Sequence, residues 1–153
     1  MLRFARTAGH TPAAERAVGR FSALGEHALL WLALGAAGAA LDQPRRTDWW
    51  RATAVVAATY GLNTALKFAI RRQRPQVAGL PPLVGTPTKL SFPSAHASTS
   101  FCAARQYARL GAPAAPLYAL ASAMAASRLY LGVHWPSDIA AGAALGAGIG
   151  AAA

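Results

Sequence analysis

Apolar residues gather in five runs along the chain, and polar breaks separate them. The first run covers Ala28 to Leu41 and the second Ala52 to Leu66. A third, more polar stretch covers Ser94 to Leu110, a fourth Pro113 to Tyr130, and a fifth starts near Pro136 and reaches the last residue. None alternates with the period of two that a half-buried strand requires, and each is long enough for several helical turns. Ahead of them, Pro12 to Phe21 reads as a short amphipathic helix with Thr11 as N-cap and Pro12 at the first helical position. Pro and Gly dominate the longest break, Arg71 to Pro93. The predicted fold is all-α. It divides into an interfacial segment over residues 1–22 and a helical bundle over residues 23–153.

The solvent of that bundle follows from what its helices lack. A helix packed in a water-soluble bundle keeps a polar outer face, and Ala52–Leu66 and Ile139–Ala153 have almost none. Only 13% of the 153 residues are charged, against about 25% in ordinary soluble domains. Trp49 and Trp50 lie beside Arg45, Arg46 and Arg51, a composition that membrane interfaces select. We therefore expect an integral-membrane bundle of about five transmembrane helices plus the amphipathic start. Each run reaches the ~20 residues of a full span only by including polar ends. Met1 to Arg20 contains four arginines and no long apolar run, so no cleavable signal peptide is expected.

The formal net charge of +10 would suggest a nucleic-acid partner in a soluble protein. Here the arginines flank apolar runs or cluster at Arg71, Arg72 and Arg74, which suits an anionic membrane surface instead. Cys102 is the single cysteine and lies in an apolar stretch, so it reads as packing. Gly142, Gly146 and Gly150 recur every four residues on one face of the last helix, which allows close helix contact inside the bundle or between copies in a homo-oligomer.

Three polar clusters interrupt the apolar background: Lys67 with Arg74-Pro75; Pro93-Ser94-Ala95-His96; and Ser127-Arg128, His134 and Asp138. Short connections make the helices alternate in direction, so all three clusters fall at one end of the bundle. Two histidines, a carboxylate and three cations at one end suit phosphoryl transfer, where catalysis rests on positioning and fixed positive charge. Lys67, Arg74 and Arg128 supply the charge. Ser94, Ala95 and His96 open a helix, whose free N–H groups bind anions. Asp138, four residues after His134, is spaced to hold one imidazole nitrogen and leave the other free to attack. His96 remains as the acid for the leaving oxygen. No cluster of carboxylates or cysteines offers a metal site, so neither metal nor cofactor is expected. His10 and His27 fall outside the three clusters and read as incidental.

These motifs resemble those of the type 2 phosphatidic acid phosphatases, which share a superfamily with vanadium-dependent haloperoxidases. The family pattern matches at Lys67, Arg74 and Pro75, at Pro93, Ser94 and His96, and at Ser127, Arg128, His134 and Asp138. The departure is Ala95, where the family usually has Gly. A helical Ala95 costs nothing, whereas a positive φ there would strain the phosphate cradle. The resemblance implies a phosphohistidine intermediate on His134 supported by Asp138, His96 as general acid, and phosphate contacts from Lys67, Arg74, Ser94 and Arg128. The short, Ala-rich chain is similar to actinobacterial members, which implies a lipid substrate in a bacterial plasma membrane. A polyprenyl-linked phosphoribose of cell-wall arabinan synthesis comes first, with polyprenyl diphosphate or phosphatidylglycerol phosphate as alternatives. Ala95 alone favours a different class, an inactive membrane assembly partner. Setting aside the three motif cations, the catalytic end carries seven Lys/Arg against five at the other, which leans toward a cytoplasmic active site.

Overall fold

A computed structural model describes residues 2–153, and Met1 lies outside the described residues. The helices are α1 (Leu2–Thr7), α2 (Pro12–Ala23), α3 (Leu29–Leu41), α4 (Arg46–Ile70), α5 (Ala95–Arg109), α6 (Ala114–Tyr130) and α7 (Pro136–Ala152). Short 3-10 turns at Glu26–Ala28 and Gln43–Arg45 enter α3 and α4. No strand forms among the described residues; the 71–93 loop holds only isolated bridges, Gln73 with Leu90 and Val77 with Leu80. The all-helical expectation holds; each of α3 to α7 falls on one of the five apolar runs, and α4 extends well past its run at both ends, taking in Arg46 to Arg51 of the polar break. The amphipathic helix is α2, capped by Thr11, whose side chain accepts from the Ala14 N–H. It is tied to the bundle. The buried Ser22 hydroxyl in its last turn accepts from Arg128 Nη1 at 2.8 Å and Ser127 Oγ at 3.1 Å.

Helix α5 is the axis of the bundle, packed against α4, α6 and α7. Its sequence is the most polar of the five because protein surrounds it. Ser98, Thr99, Ser100 and Gln106 are all buried and find partners inside. Asn63 Nδ2 donates to Ser98 Oγ (3.0 Å), Trp31 Nε1 to Ser100 Oγ (2.7 Å), and Gln106 Nε2 to the Gly150 carbonyl (3.1 Å). Each such group would cost roughly 1–3 kcal/mol if left unpaired, so these bonds fix how the helices register on α5. Cys102 is buried and accepts from Thr59 Oγ1, in line with a packing role. The apolar core lies toward the far end, where Trp31, Val56 and Tyr107 are fully buried.

The glycine stripe of α7 is used within the chain. A Cβ at Gly142 would stand 2.6 Å from the Ser94 carbonyl, one at Gly146 would run into the Ser98 carbonyl, and one at Gly150 would meet the Cys102 carbonyl at 3.1 Å. All three glycines are buried against α5, so that face is not free for a second copy.

No single helix is long and apolar enough to cross a membrane by length and composition; α2 and the segment Glu26–Leu41 meet that requirement only as a pair bent by 53°. Large apolar side chains nevertheless face outward, among them Leu29, Leu41, Leu62, Phe68 and Ile70.

Candidate active site

The chain direction alternates through α3 to α7, so the end of α4, the start of α5, the end of α6 and the start of α7 meet at one end of the bundle. The 71–93 loop closes over them. Lys67, Arg74, Ala95, His96, Arg128 and His134 line a single cleft there, of about 570 Å³ with its open mouth included. Ser94 and Asp138 stand behind this wall, both fully buried.

His134 sits in the turn between α6 and α7. Gly132 permits that turn: its φ is +74°, and a Cβ would press on the Arg6 side chain at 2.7 Å. Two bonds determine which imidazole nitrogen carries the proton. Nδ1 lies 3.3 Å from Asp138 Oδ2, and a carboxylate only accepts, so Nδ1 donates. Nε2 lies 3.2 Å from Arg74 Nη1, and a guanidinium only donates, so Nε2 offers its lone pair. Burial, with Arg74, Arg128 and Lys67 nearby, lowers the His134 pKa to about 3 against the opposing pull of Asp138, so the ring is neutral at pH 7.

Asp138 is held by more than its histidine. Oδ2 also accepts from the Trp135 N–H at 2.8 Å, and Oδ1 accepts from Arg72 Nη1 at 2.9 Å. Arg72 lies 5.5 Å from the centre of the Trp135 ring. Sequence reasoning left Arg72, which contacts Asp138 directly, inside an undifferentiated arginine cluster.

The cations are set by backbone carbonyls. Lys67 Nζ, buried, donates to the carbonyls of Pro93 (3.1 Å) and Ser91 (3.2 Å). Arg74 donates through Nε to the Thr88 carbonyl (2.9 Å) and through Nη1 to the Val133 carbonyl (2.7 Å). Burial lowers its pKa, partly countered by Asp138 and Glu26. Arg128 is buried, and among the described residues its Nε–H finds no acceptor. A buried guanidinium with an unspent donor at a cleft wall suits an anion.

Ser94 N-caps α5: its hydroxyl accepts from the Ala97 N–H, while its own N–H donates to the Asp138 carbonyl at 3.1 Å. This cap ties α5 to α7 and holds the two histidine-bearing segments together. Ala95 is the first residue of α5 and is not among the residues of positive φ. Alanine is therefore unstrained where the family usually has glycine, and the one feature favouring a dead site loses its force. His96 Nε2 lies 3.0 Å from the Ser22 carbonyl, which only accepts, so Nε2 carries a proton.

Sequence reasoning also missed Glu26. Its Oε1 stands 3.8 Å from both His96 Nε2 and Arg128 Nη1. Gly25 makes this approach possible, since a Cβ there would meet the His96 ring and Met124 Sδ at 2.6 Å. His27, read as incidental, lines the same cleft. His10 is structural: it stacks on Tyr130 at 3.9 Å and pairs with Glu15. No group of three His, Cys, Asp or Glu side chains that could hold a metal ion occurs among the described residues.

A helical bundle with two histidines, a buried carboxylate and converging cations at one end is the arrangement of a phosphatase site. The model of the PAP2 superfamily matches residues 48–153, and the chain belongs to that superfamily. It is 42% identical over 130 residues to the decaprenylphosphoryl-5-phosphoribose phosphatase of Mycobacterium tuberculosis, covering 85% of this chain and 73% of that protein. The protein of the same name from Mycolicibacterium smegmatis is 42% identical over 122 residues, covering 79% and 67%. Among solved structures, Aquifex aeolicus LpxE superposes with a TM-score of 0.81 at 23% identity, covering 99% of this chain and 90% of that one. The transmembrane PAP2 type phosphatidylglycerolphosphate phosphatase of Bacillus subtilis gives 0.76 at 23% identity, covering 99% and 79%.

Proposed function

We propose that the chain is a membrane-embedded lipid phosphatase that hydrolyses a phosphomonoester through a phosphohistidine on His134, with a polyprenyl-linked phosphoribose as substrate. The observation that carries this reading is the His134 Nε2 lone pair beside Arg74, in a cleft that Lys67 and Arg128 also line. Phosphate oxygens bind these cations and take over the Arg74 Nη1–H, which frees the Nε2 lone pair. The lone pair attacks phosphorus, the ester P–O bond breaks, and His96, in its doubly protonated form, gives its Nδ1 proton to the leaving oxygen while Nε2–H stays on the Ser22 carbonyl. Asp138 balances the charge that develops on the imidazole. Water then attacks phosphorus, His96 takes the water proton, the P–N bond breaks and phosphate leaves. The relatives' name supplies the substrate, and the lipid-linked chemistry suits the outward-facing Leu62, Phe68 and Ile70.

In this reading α3 to α7 are the membrane helices. Helix α4, with 25 residues, is about 37 Å long and exceeds the ~30 Å hydrocarbon core. Its charges lie at its two ends, Arg46 to Arg51 and Lys67. The cleft faces the cytoplasm of a bacterial plasma membrane, supported by the seven-to-five excess of non-motif Lys/Arg at that end. A panel of polyprenyl-linked phosphoribose, polyprenyl diphosphate and phosphatidylglycerol phosphate, offered to the purified protein and to His134→Ala, tests the reading. Phosphate release should be fastest from the first lipid and absent from the variant. Faster release from either rival lipid contradicts the substrate, and near-normal release by His134→Ala contradicts the mechanism. Cysteines at Lys89 and Arg3 should label only after permeabilisation, and one at Arg46 in intact cells; the reverse pattern places the cleft outside.

A further inference from the structure

The cleft has a second half that phosphate chemistry does not use. Beyond Lys67, one face of α4 carries Thr64 and then Tyr60 along the same wall, a run of about 10 Å from the level of the phosphate cations toward the middle of the helix. Glu26 and His27 line the same half of the cleft. Glu26 is the one carboxylate in the lining, 35% exposed. Its Oε1 stands 3.8 Å from His96 Nε2 and Arg128 Nη1, beyond hydrogen-bond reach of either, so the carboxylate keeps acceptor capacity for a ligand.

The backbone that presents these two side chains is strained. His27 (φ 52°, ψ 25°) and Ala28 (φ 61°, ψ 17°) are consecutive non-glycine residues in the left-handed region. Such conformations persist where the surroundings over-determine them, often at functional sites. Two contacts hold the kink: Gly25 is pressed under the His96 ring, and His27 Nδ1 is 2.8 Å from the Tyr60 hydroxyl, which ties the kink to α4.

The wall offers acceptors. The Thr64 hydroxyl spends its hydrogen on the Tyr60 carbonyl at 2.9 Å and faces the cleft with lone pairs only, and the Glu26 carboxylate only accepts. Acceptors beyond a cation cluster match hydroxyl donors one group away from a phosphate. A total volume of about 570 Å³ lies within the roughly 300–1,000 Å³ of ordinary ligand sites, with room for a head group and not phosphate alone. Phe68, 57% exposed, adds an apolar side chain to the lining.

We propose that Glu26, His27, Tyr60 and Thr64 form a head-group subsite that binds the hydroxyls of a sugar lying between the scissile phosphate and the lipid tail. This inference rests on the lipid-linked sugar phosphate reading above. Its test is a selectivity ratio in full-length protein in detergent: kcat/KM for a prenyl-linked ribose 5-phosphate over kcat/KM for a prenyl monophosphate of equal tail length, which has no hydroxyls. Glu26→Gln should lower the ratio about tenfold and Tyr60→Phe about threefold, mainly through KM of the sugar substrate, as expected for a charge-assisted and a neutral hydrogen bond. Ratios within twofold of wild type for both variants overturn the subsite. A parallel fall for both substrates also overturns it and assigns Glu26 to the His96–Arg128 pair. A wild-type ratio near one is a separate failure: it removes the sugar phosphate reading, and the subsite with it.

Discussion

Asp138→Asn separates the charge of the buried carboxylate from its shape. Three donors converge on Asp138: His134 Nδ1, the Trp135 N–H and Arg72 Nη1, at 3.3, 2.8 and 2.9 Å. An amide has one oxygen and one NH2, so it fails at least one of them. With its oxygen toward His134 and Trp135, the NH2 faces Arg72, which is 38% exposed and is free to turn to water. In the opposite orientation the NH2 faces His134 Nδ1, drives the ring proton to Nε2 and removes the attacking lone pair. The first orientation is the cheaper one, and it keeps the tautomer. What it loses is the negative charge that would balance the proposed phosphohistidine among three cations. Breaking a buried charge pair costs about 3–5 kcal/mol, which corresponds to a fall in kcat of about 10²–10⁴. Folding should lose less, about 1.5–3 kcal/mol for one charge-assisted bond. Phosphate release from a lipid phosphate and from p-nitrophenyl phosphate, together with a melting curve in detergent, measures both effects. A kcat within tenfold of wild type in a folded variant would refute the role given to Asp138.

Acidification should destabilise the fold between about pH 6.5 and 3. In that window the unfolded chain protonates His134 while the folded chain, with its pKa lowered to about 3, does not. Stability therefore rises with pH there, by at most about 1.4 kcal/mol per unit from this group, and His134→Gln should flatten the slope in thermal unfolding against pH. Gly146→Ala and Gly148→Ala form a matched pair on α7: the first drives a Cβ into the Ser98 backbone and should cost about 1–3 kcal/mol, while the second has open space and should be neutral or gain up to ~1 kcal/mol, read as shifts in Tm. EDTA should leave activity unchanged, and vanadate should inhibit competitively at the Lys67–Arg74–Arg128 cluster; a Mg²⁺ requirement that persists with a soluble substrate argues for different chemistry.

Much of this architecture is legible in the sequence because lipid and phosphate each leave a simple mark. Long apolar runs give α3 to α7, Thr11-Pro12 gives the start of α2, and polar residues at helix ends single out Lys67, His96, Arg128, His134 and Asp138. The residues that escaped depend on tertiary placement. Arg74 is marked in sequence by its Arg-Pro motif after Lys67, whereas Arg71 and Arg72 have equal claims; only the fold turns Arg72 toward Asp138, while Arg71 caps α4 with a left-handed backbone. Glu26 and His27 ride on a kink made without glycine at the left-handed positions, so no local signal announced it. The glycines of α7 are a packing stripe in either reading; their partner is α5, which only the three-dimensional arrangement decides.

Trapping the covalent intermediate tests the central claim most directly. Purified protein mixed with ³²P-labelled lipid phosphate should be quenched in alkali within the first turnover, digested, and mapped by mass spectrometry. The expected result is a phosphoryl group on the His134 imidazole nitrogen, stable in alkali, released by acid and absent from His134→Ala. Turnover with no adduct on His134 under single-turnover conditions, or an adduct on another residue, contradicts it.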